Sequence, residues 1–347
     1  MNSDQTESSK MFRVLSLDGG GVRGILPARL LANIEKHINE QDGSDAPLGE
    51  RFDLISGTST GGLIALGLAA GRRANEILEF YEKHIPKIFG STNRRSGICR
   101  FFCPAYGTTL LREALQEILQ DKTLHDVKTD VCIPTVSLQN ASPRMYKSGY
   151  LERNASRLDE KLVDIGLATS AAPTFFPAHS TQYSTNLIDG GLCANNPAMV
   201  ALVEAMQFER PSQRGVPAPR AGEKRPTNEI TMLSLGTGEP CALPFRTDRL
   251  TSGGIGTWAF RRDITKRALP FPKPTIPLVE TLMQSQSQIA HFQASFLLES
   301  DKYLRINPKL KFPMSLDDLE KVDELKNLAD IDANVAEFIG RIYVKET

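Results

Sequence analysis

A chain of 347 residues can bury a substantial core, as one large domain or two smaller ones. Its hydrophobic fraction of 40% and charged fraction of 24% are those of an ordinary globular protein, not of a disordered or fibrous one. The 41 basic residues balance the 41 acidic ones. A formal net charge of zero therefore gives no whole-molecule electrostatic case for nucleic acid or an acidic membrane, although local patches stay open.

The first ten residues, MNSDQTESSK, are polar, lack the apolar run of a signal peptide and are expected to be disordered. Residues 11–347 read as one domain. FRVLSL is a strand, and GILPARLLANIEKHINE is an amphipathic helix with Leu30, Leu31, Ile34 and Ile38 on one side. After a polar linker, FDLIS is a second strand, followed by helical patterns at about 60–70 and 74–89. Residues 90–108 show no period and read as a loop. TTLLREALQEILQ is a helix, VCIPTVSLQ a buried strand, and LDEKLVDIGLATSAAP a helix that stops before Pro173. YSTNLIDGG ends a strand in a glycine turn, and NPAMVALVEAMQF is a helix with Pro197 in its first turn. The stretch 210–227, rich in Pro, Gly and Arg, is expected to be a mobile surface loop. EITMLSLGTG is a strand entering another glycine turn, KYLRI is a further strand, and the remainder is mostly helical. Strands alternating with helices argue for an α/β fold with a mostly parallel central sheet and helices on both faces. No run approaches 18 apolar residues, so no segment is expected to span a bilayer. Five cysteines, odd in number and without a C-x-x-C pair, argue against a disulfide framework and for a reducing cytosol.

Three glycine turns fall at strand ends, where function collects in such folds. The first, LDGGGVRG, contains Gly19-x-Gly21-x-x-Gly24 between a strand and a helix, which is the dinucleotide fingerprint. Two features count against a nucleotide cofactor. The region about 20 residues on has no strand ending in a ribose-holding acid, and Asp18 would set a carboxylate beside the pyrophosphate. The alternative is that consecutive glycines expose amides able to hold an oxyanion. The second turn, Gly57-Thr58-Ser59-Thr60-Gly61, is a nucleophile elbow in its expected strand–turn–helix setting. Its following helix is apolar almost all round and therefore buried. A serine of this kind ordinarily needs a histidine, yet His37, His84, His125 and His291 fall in helical or polar structural settings. His179 stays in reserve, and no triad assembles. The third turn supplies an acid instead: Asp189, followed by Gly190 and Gly191, in a tight, accessible turn at a sheet edge. A carboxylate can take a hydroxyl proton directly, and burial would raise its basicity.

With DGGGVRG at 18–24, GTSTG at 57–61 and DGG at 189–191 in order, the chain resembles the patatin-like phospholipases. ATSAAPTFFPA at 168–178 and LSLGTG at 233–238 resemble further family segments, and the likeness covers roughly residues 12–345. The resemblance implies a three-layer patatin-like fold and a Ser–Asp dyad, with Ser59 as nucleophile and Asp189 as base. It implies an oxyanion hole from Gly19, Gly20 and Gly21, with Arg23 beside it to meet a phosphate or hold the loop. Gly57, Gly61, Gly190 and Gly191 support the two turns. The implied reaction is hydrolysis of membrane phospholipid acyl esters through an acyl-enzyme, with no metal or cofactor required. Some bacterial members are held inactive until a cyclic nucleotide binds, so a cyclic nucleotide activator and an anti-phage role are further expectations. Peripheral membrane contact is expected through WAFRRDITKRALPFPKP, from residue 258, or RRSGICRFFCPAYG at 94–107, both mixing aromatic and basic residues. The competing readings are a nucleotide-binding oxidoreductase-type domain built on Gly19–Gly24, and a storage or binding protein of the same fold.

Overall fold

The computed structural model describes residues 11–95, 102–151, 157–239, 251, 277–312 and 314–343. The N-terminal decapeptide, the 258–274 stretch and residues 96–101 of the 94–107 stretch lie outside them. In chain order the elements are β1 (Phe12–Leu17), α1 (Ile25–Asp42), β2 (Leu54–Gly57), α2 (Thr60–Ala69), α3 (Ala74–Ile88) and α4 (Thr109–Leu119). Then come β3 (Asp130–Ser137), β4 (Ser142–Lys147), α5 (Leu162–Thr169), β5 (Leu187–Asp189), α6 (Gly191–Ala194) and α7 (Ala198–Met206). The last are β6 (Ile230–Leu235), α8 (Pro277–Leu297), β7 (Tyr303–Ile306), α9 (Val322–Lys326) and α10 (Ala333–Tyr343). No helix among the described residues is long and apolar enough to cross a membrane.

The strands form one sheet in the order β4-β3-β2-β1-β6-β7. The pairs β3–β2, β2–β1, β1–β6 and β6–β7 are parallel, whereas β4 runs antiparallel to β3. Alternation along the strands sends side chains to two cores. Leu15, Leu17, Ile55 and Val131 face α1–α5 and the C-terminal helices. Phe12, Val14, Leu54 and Cys132 face α7 and α8. Strands buried on both faces read as nearly continuous apolar runs, as β1, β3 and β6 do. Strand β4 escapes that pattern: SPRMYK is half-exposed at the sheet edge and carries a proline and two cations.

The 210–227 stretch is tied down, contrary to its composition. Arg210 Nη2 reaches both oxygens of Asp130 at 2.8 and 2.9 Å, and Ser212 and Arg214 bond Asp53. Val216 and Arg225 are buried within it. The ion pairs hold the segment against the amino ends of β2 and β3, where those two aspartates would otherwise be buried unpaired.

The decisive detail lies along one edge of β3. β2 occupies its first half, with Ser56 opposite Cys132, and runs parallel to it. β5 occupies its second half, with Asp189 opposite Thr135, and runs antiparallel. The carboxyl ends of β2 and β5 therefore point at each other across the two β3 residues between these pairings. Whatever follows β2 meets whatever ends β5.

Candidate active site

Ser59 follows β2 in a backbone conformation of φ 53° and ψ −123° that non-glycine residues rarely adopt. Strain of this kind typically costs about 1–3 kcal/mol and persists only where the surroundings impose it. They do so here by close approach. A Cβ on Gly57 would collide with the Gly61 carbonyl, and one on Gly61 with the Leu17 carbonyl. Ser59 caps α2, whose ten residues are all buried and uncharged. The helix's first amides have no partner inside it and place positive dipole character beside the Ser59 hydroxyl.

Asp189 ends β5 and is buried, only 3% exposed, rather than in the accessible turn expected from its sequence. The reason is its pairing partner: β3 places the turn inside the sheet, behind α6 and α8. Its carboxylate accepts the Gly191 amide at 2.7 Å and the Ser59 hydroxyl. Burial raises its pKa from the ordinary 3.8 to about 6, against the pull of these two hydrogen bonds. Among the described residues no cation pairs with it.

The segment after α5 braces both groups. Thr169 Oγ1 accepts the Ser59 amide at 3.1 Å and donates to the Pro134 carbonyl at 2.7 Å. The Asp189 amide donates to the Ala171 carbonyl at 3.1 Å, and that of Gly190 to the Thr169 carbonyl at 3.3 Å. Thr169 lies in the quoted ATSAAPTFFPA, but its position between strands is a long-range fact that no local pattern announces.

Ser59 and Asp189 open together into an apolar cavity lined by Leu63, Ile85, Phe89, Phe175 and Phe176, with Val279 and Met283 of α8 on another wall. None of the five histidines lines it. His179, the one held in reserve, bonds Asp164 instead, at 3.0 Å.

The first glycine turn sits beside this cavity, but its three glycines are not equivalent. Gly20 and Gly21 line the cavity, and their amides have no hydrogen-bond partner among the described residues. The Gly19 amide is occupied: it donates to the Asn195 carbonyl at 2.9 Å, and Gly19 does not line the cavity. The expectation that Gly19 supplies an oxyanion donor is therefore corrected to Gly20 and Gly21. Thr60, the residue after Ser59, also lines the cavity and offers the unpaired amide that a nucleophile elbow supplies. Arg23 does not line the cavity at Ser59 but a second one behind the turn. Its Nε donates to the Gly20 carbonyl at 3.5 Å, so it holds the loop.

Behind the turn lies a second, polar cavity of about 440 Å3, where Asp18 forms a bidentate pair with Arg305 of β7 at 3.0 and 2.5 Å. Thr237 Oγ1 bonds the Gly19 carbonyl, and Asn195 reaches Ser287 of α8. Asp18, Thr237, Arg305 and Asn195 thus fix the turn from outside. The fingerprint reading loses its remaining support here, because β2 ends in the serine turn and carries no ribose-holding acid.

A family model described as patatin-like phospholipase matches residues 15–202. Patatin-like protein 1 of Arabidopsis thaliana is 33% identical over 352 residues, covering 92% of this chain and 80% of that protein. The cGAMP-activated phospholipase of Vibrio cholerae is 34% identical over 270 residues, covering 74% of this chain and 73% of that one. Among solved structures, VipD from Legionella pneumophila is similar with a TM-score of 0.46 at 12% identity, over 96% of this chain and 67% of that one.

Proposed function

This chain belongs to the patatin-like phospholipase family, and from that premise we propose that it is a phospholipase A working through Ser59 and Asp189. The observation that carries the reading is a strained serine hydrogen-bonded to a buried carboxylate, with no cation partner among the described residues, at the head of an apolar cavity. The cavity takes the acyl chain. Above pH about 6 the Asp189 carboxylate is ionised and accepts the Ser59 proton as Oγ attacks the ester carbonyl. The Gly20, Gly21 and Thr60 amides take the oxyanion. Collapse breaks the acyl–oxygen bond, and the lysophospholipid leaves with the proton from Asp189. Asp189 then deprotonates a water that attacks the acyl-Ser59 ester, releasing fatty acid and restoring the serine. No step uses a metal or cofactor.

Likeness to the cGAMP-activated phospholipase supports a second layer, in which a cyclic nucleotide switches the enzyme on, as an anti-phage effector would require. One experiment tests both layers: fatty-acid release from phospholipid vesicles by wild type and Ser59→Ala, with and without a panel of cyclic nucleotides. Release that requires Ser59 supports the chemistry, and release that also requires nucleotide supports the switch. Release unaffected by Ser59→Ala overturns the first layer, and full activity without nucleotide overturns the second.

A further inference from the structure

Helix α8 is built inside out. Its inward face at the sheet is made of Ser287, Ala290 and Ala294, closed by Leu298 just beyond the helix. Most of its large apolar side chains instead point to solvent, among them Leu278, Leu282, Ile289, Phe292 and Phe296, at spacings of four, seven, three and four residues. This spacing lays them in one stripe along the helix. Phe292 is 69% exposed and Phe296 81%. Six of the ten large apolar side chains exposed among the described residues belong to this one helix, the sixth being Leu297. Singly scattered exposed apolar residues need no explanation, but a continuous stripe does.

Two observations say what covers it. The stretch from Thr281 to Leu298 contains no Asp, Glu, Lys or Arg, so the face has neither the charges of a solvated helix nor those of an ionic interface. The same helix lines the cavity at Ser59 through Val279 and Met283, next to Leu278 and Leu282 of the stripe. A lipid-bearing surface meeting the stripe would therefore lie beside the substrate cavity. We propose that the outward face of α8 is the membrane-docking surface, set in the headgroup–acyl boundary with the helix axis along the membrane plane. The inference rests on the phospholipase reading above. It assigns docking to apolar insertion by α8 rather than to the basic stretches singled out in the sequence. Insertion by uncharged side chains makes binding insensitive to salt and to anionic lipid, in contrast to a polybasic anchor.

The test uses the full chain and ether-linked phosphatidylcholine vesicles, which carry no cleavable acyl ester. Co-sedimentation is measured for wild type and for Phe292→Asp/Phe296→Asp, together with Ile289→Gln/Phe292→Gln as a milder second variant. Hydrolysis of a water-soluble short-chain ester is followed in parallel. Each phenyl ring withdrawn from the bilayer is worth roughly tenfold or more in partitioning, so the aspartate pair should lose at least ~100-fold in vesicle binding. Wild-type binding should not change with salt, and short-ester turnover and the melting temperature should stay at wild-type levels in both variants. Undiminished vesicle binding by the variants overturns the proposal. So does a wild-type dimer that the substitutions turn into a monomer, because the stripe is then a contact between copies. Loss of short-ester turnover in Ser59→Ala is read separately, so failure of the phospholipase reading cannot be mistaken for failure of docking.

Discussion

The tripeptide Asp-Gly-Gly occurs twice, at 18–20 and at 189–191, each time at the carboxyl end of a strand. Both aspartates are almost wholly buried. Their surroundings differ in one respect. Burial pushes both carboxyls up, but Asp18 is clamped by the Arg305 guanidinium, with Arg23 nearby, and these cations pull against that shift. Among the described residues Asp189 has only a hydroxyl and an amide as partners, and burial raises it to about 6. A paired carboxylate is a structural strut, whereas one without a cation is a base poised near neutral pH. The motif is the same, and the neighbouring strand decides its use: β7 brings an arginine to one turn, and β2 brings a serine to the other.

Removing either member of the second pair should have the largest effect. Ser59→Ala and Asp189→Asn should each lower ester turnover by at least ~10³-fold, measured at pH 8, with the fold intact by circular dichroism. At the first turn, Arg305→Met leaves Asp18 buried without its partner. That should lower unfolding free energy by about 3 kcal/mol in chemical denaturation, a stability effect that Asp189→Asn should not share.

The sign at Asp189 is opposite. Its folded-state pKa lies above the ordinary value, so the folded protein binds the proton more tightly than the unfolded chain between about pH 4 and 6. Stability contributed by this group is present at low pH and lost as pH rises through about 6. Asp189→Asn, which cannot ionise, should thus be more stable than wild type at pH 8 by up to ~3 kcal/mol, with the gain disappearing below about pH 4. Equal stability of the two proteins across that range would remove the claim that burial holds the carboxylate under strain. The smallest effect expected is that of Thr169→Val, which takes away the acceptor of the Ser59 amide. It should cost about 1–2 kcal/mol of stability and roughly tenfold in turnover.

The parts legible in the sequence are those set by neighbours along the chain. The elbow at Ser59 and the glycine turns are short patterns legible along the chain, even though Gly61 makes its close approach to the Leu17 carbonyl and Gly190 to the Pro134 carbonyl. The two-faced core strands are likewise legible in their continuous apolar runs. What stays hidden depends on pairing across long separations. That Asp189 meets Ser59 follows from β5 running antiparallel along the half of β3 that β2 leaves open. That the Gly19 amide is already engaged follows from Asn195, 176 residues away in the chain. Strand β4 is hidden by its proline and its two cations, and the 210–227 segment looks mobile because the aspartates that anchor it lie on β2's approach and on β3. The α8 stripe has a helical period that the sequence shows plainly, but not which side of the helix faces out.

In our proposal the Asp189 carboxylate, which has no cation partner among the described residues, is the base that activates Ser59. Labelling with a serine-directed fluorophosphonate, followed by intact mass across pH 4–9, tests it most directly. Wild type should gain a single adduct on Ser59 at a rate that rises tenfold per pH unit up to about 6 and then levels off. Asp189→Asn should label at least ~10³-fold more slowly, with no inflection near 6. Labelling of Asp189→Asn at the wild-type rate, or an adduct on any residue other than Ser59, would contradict it.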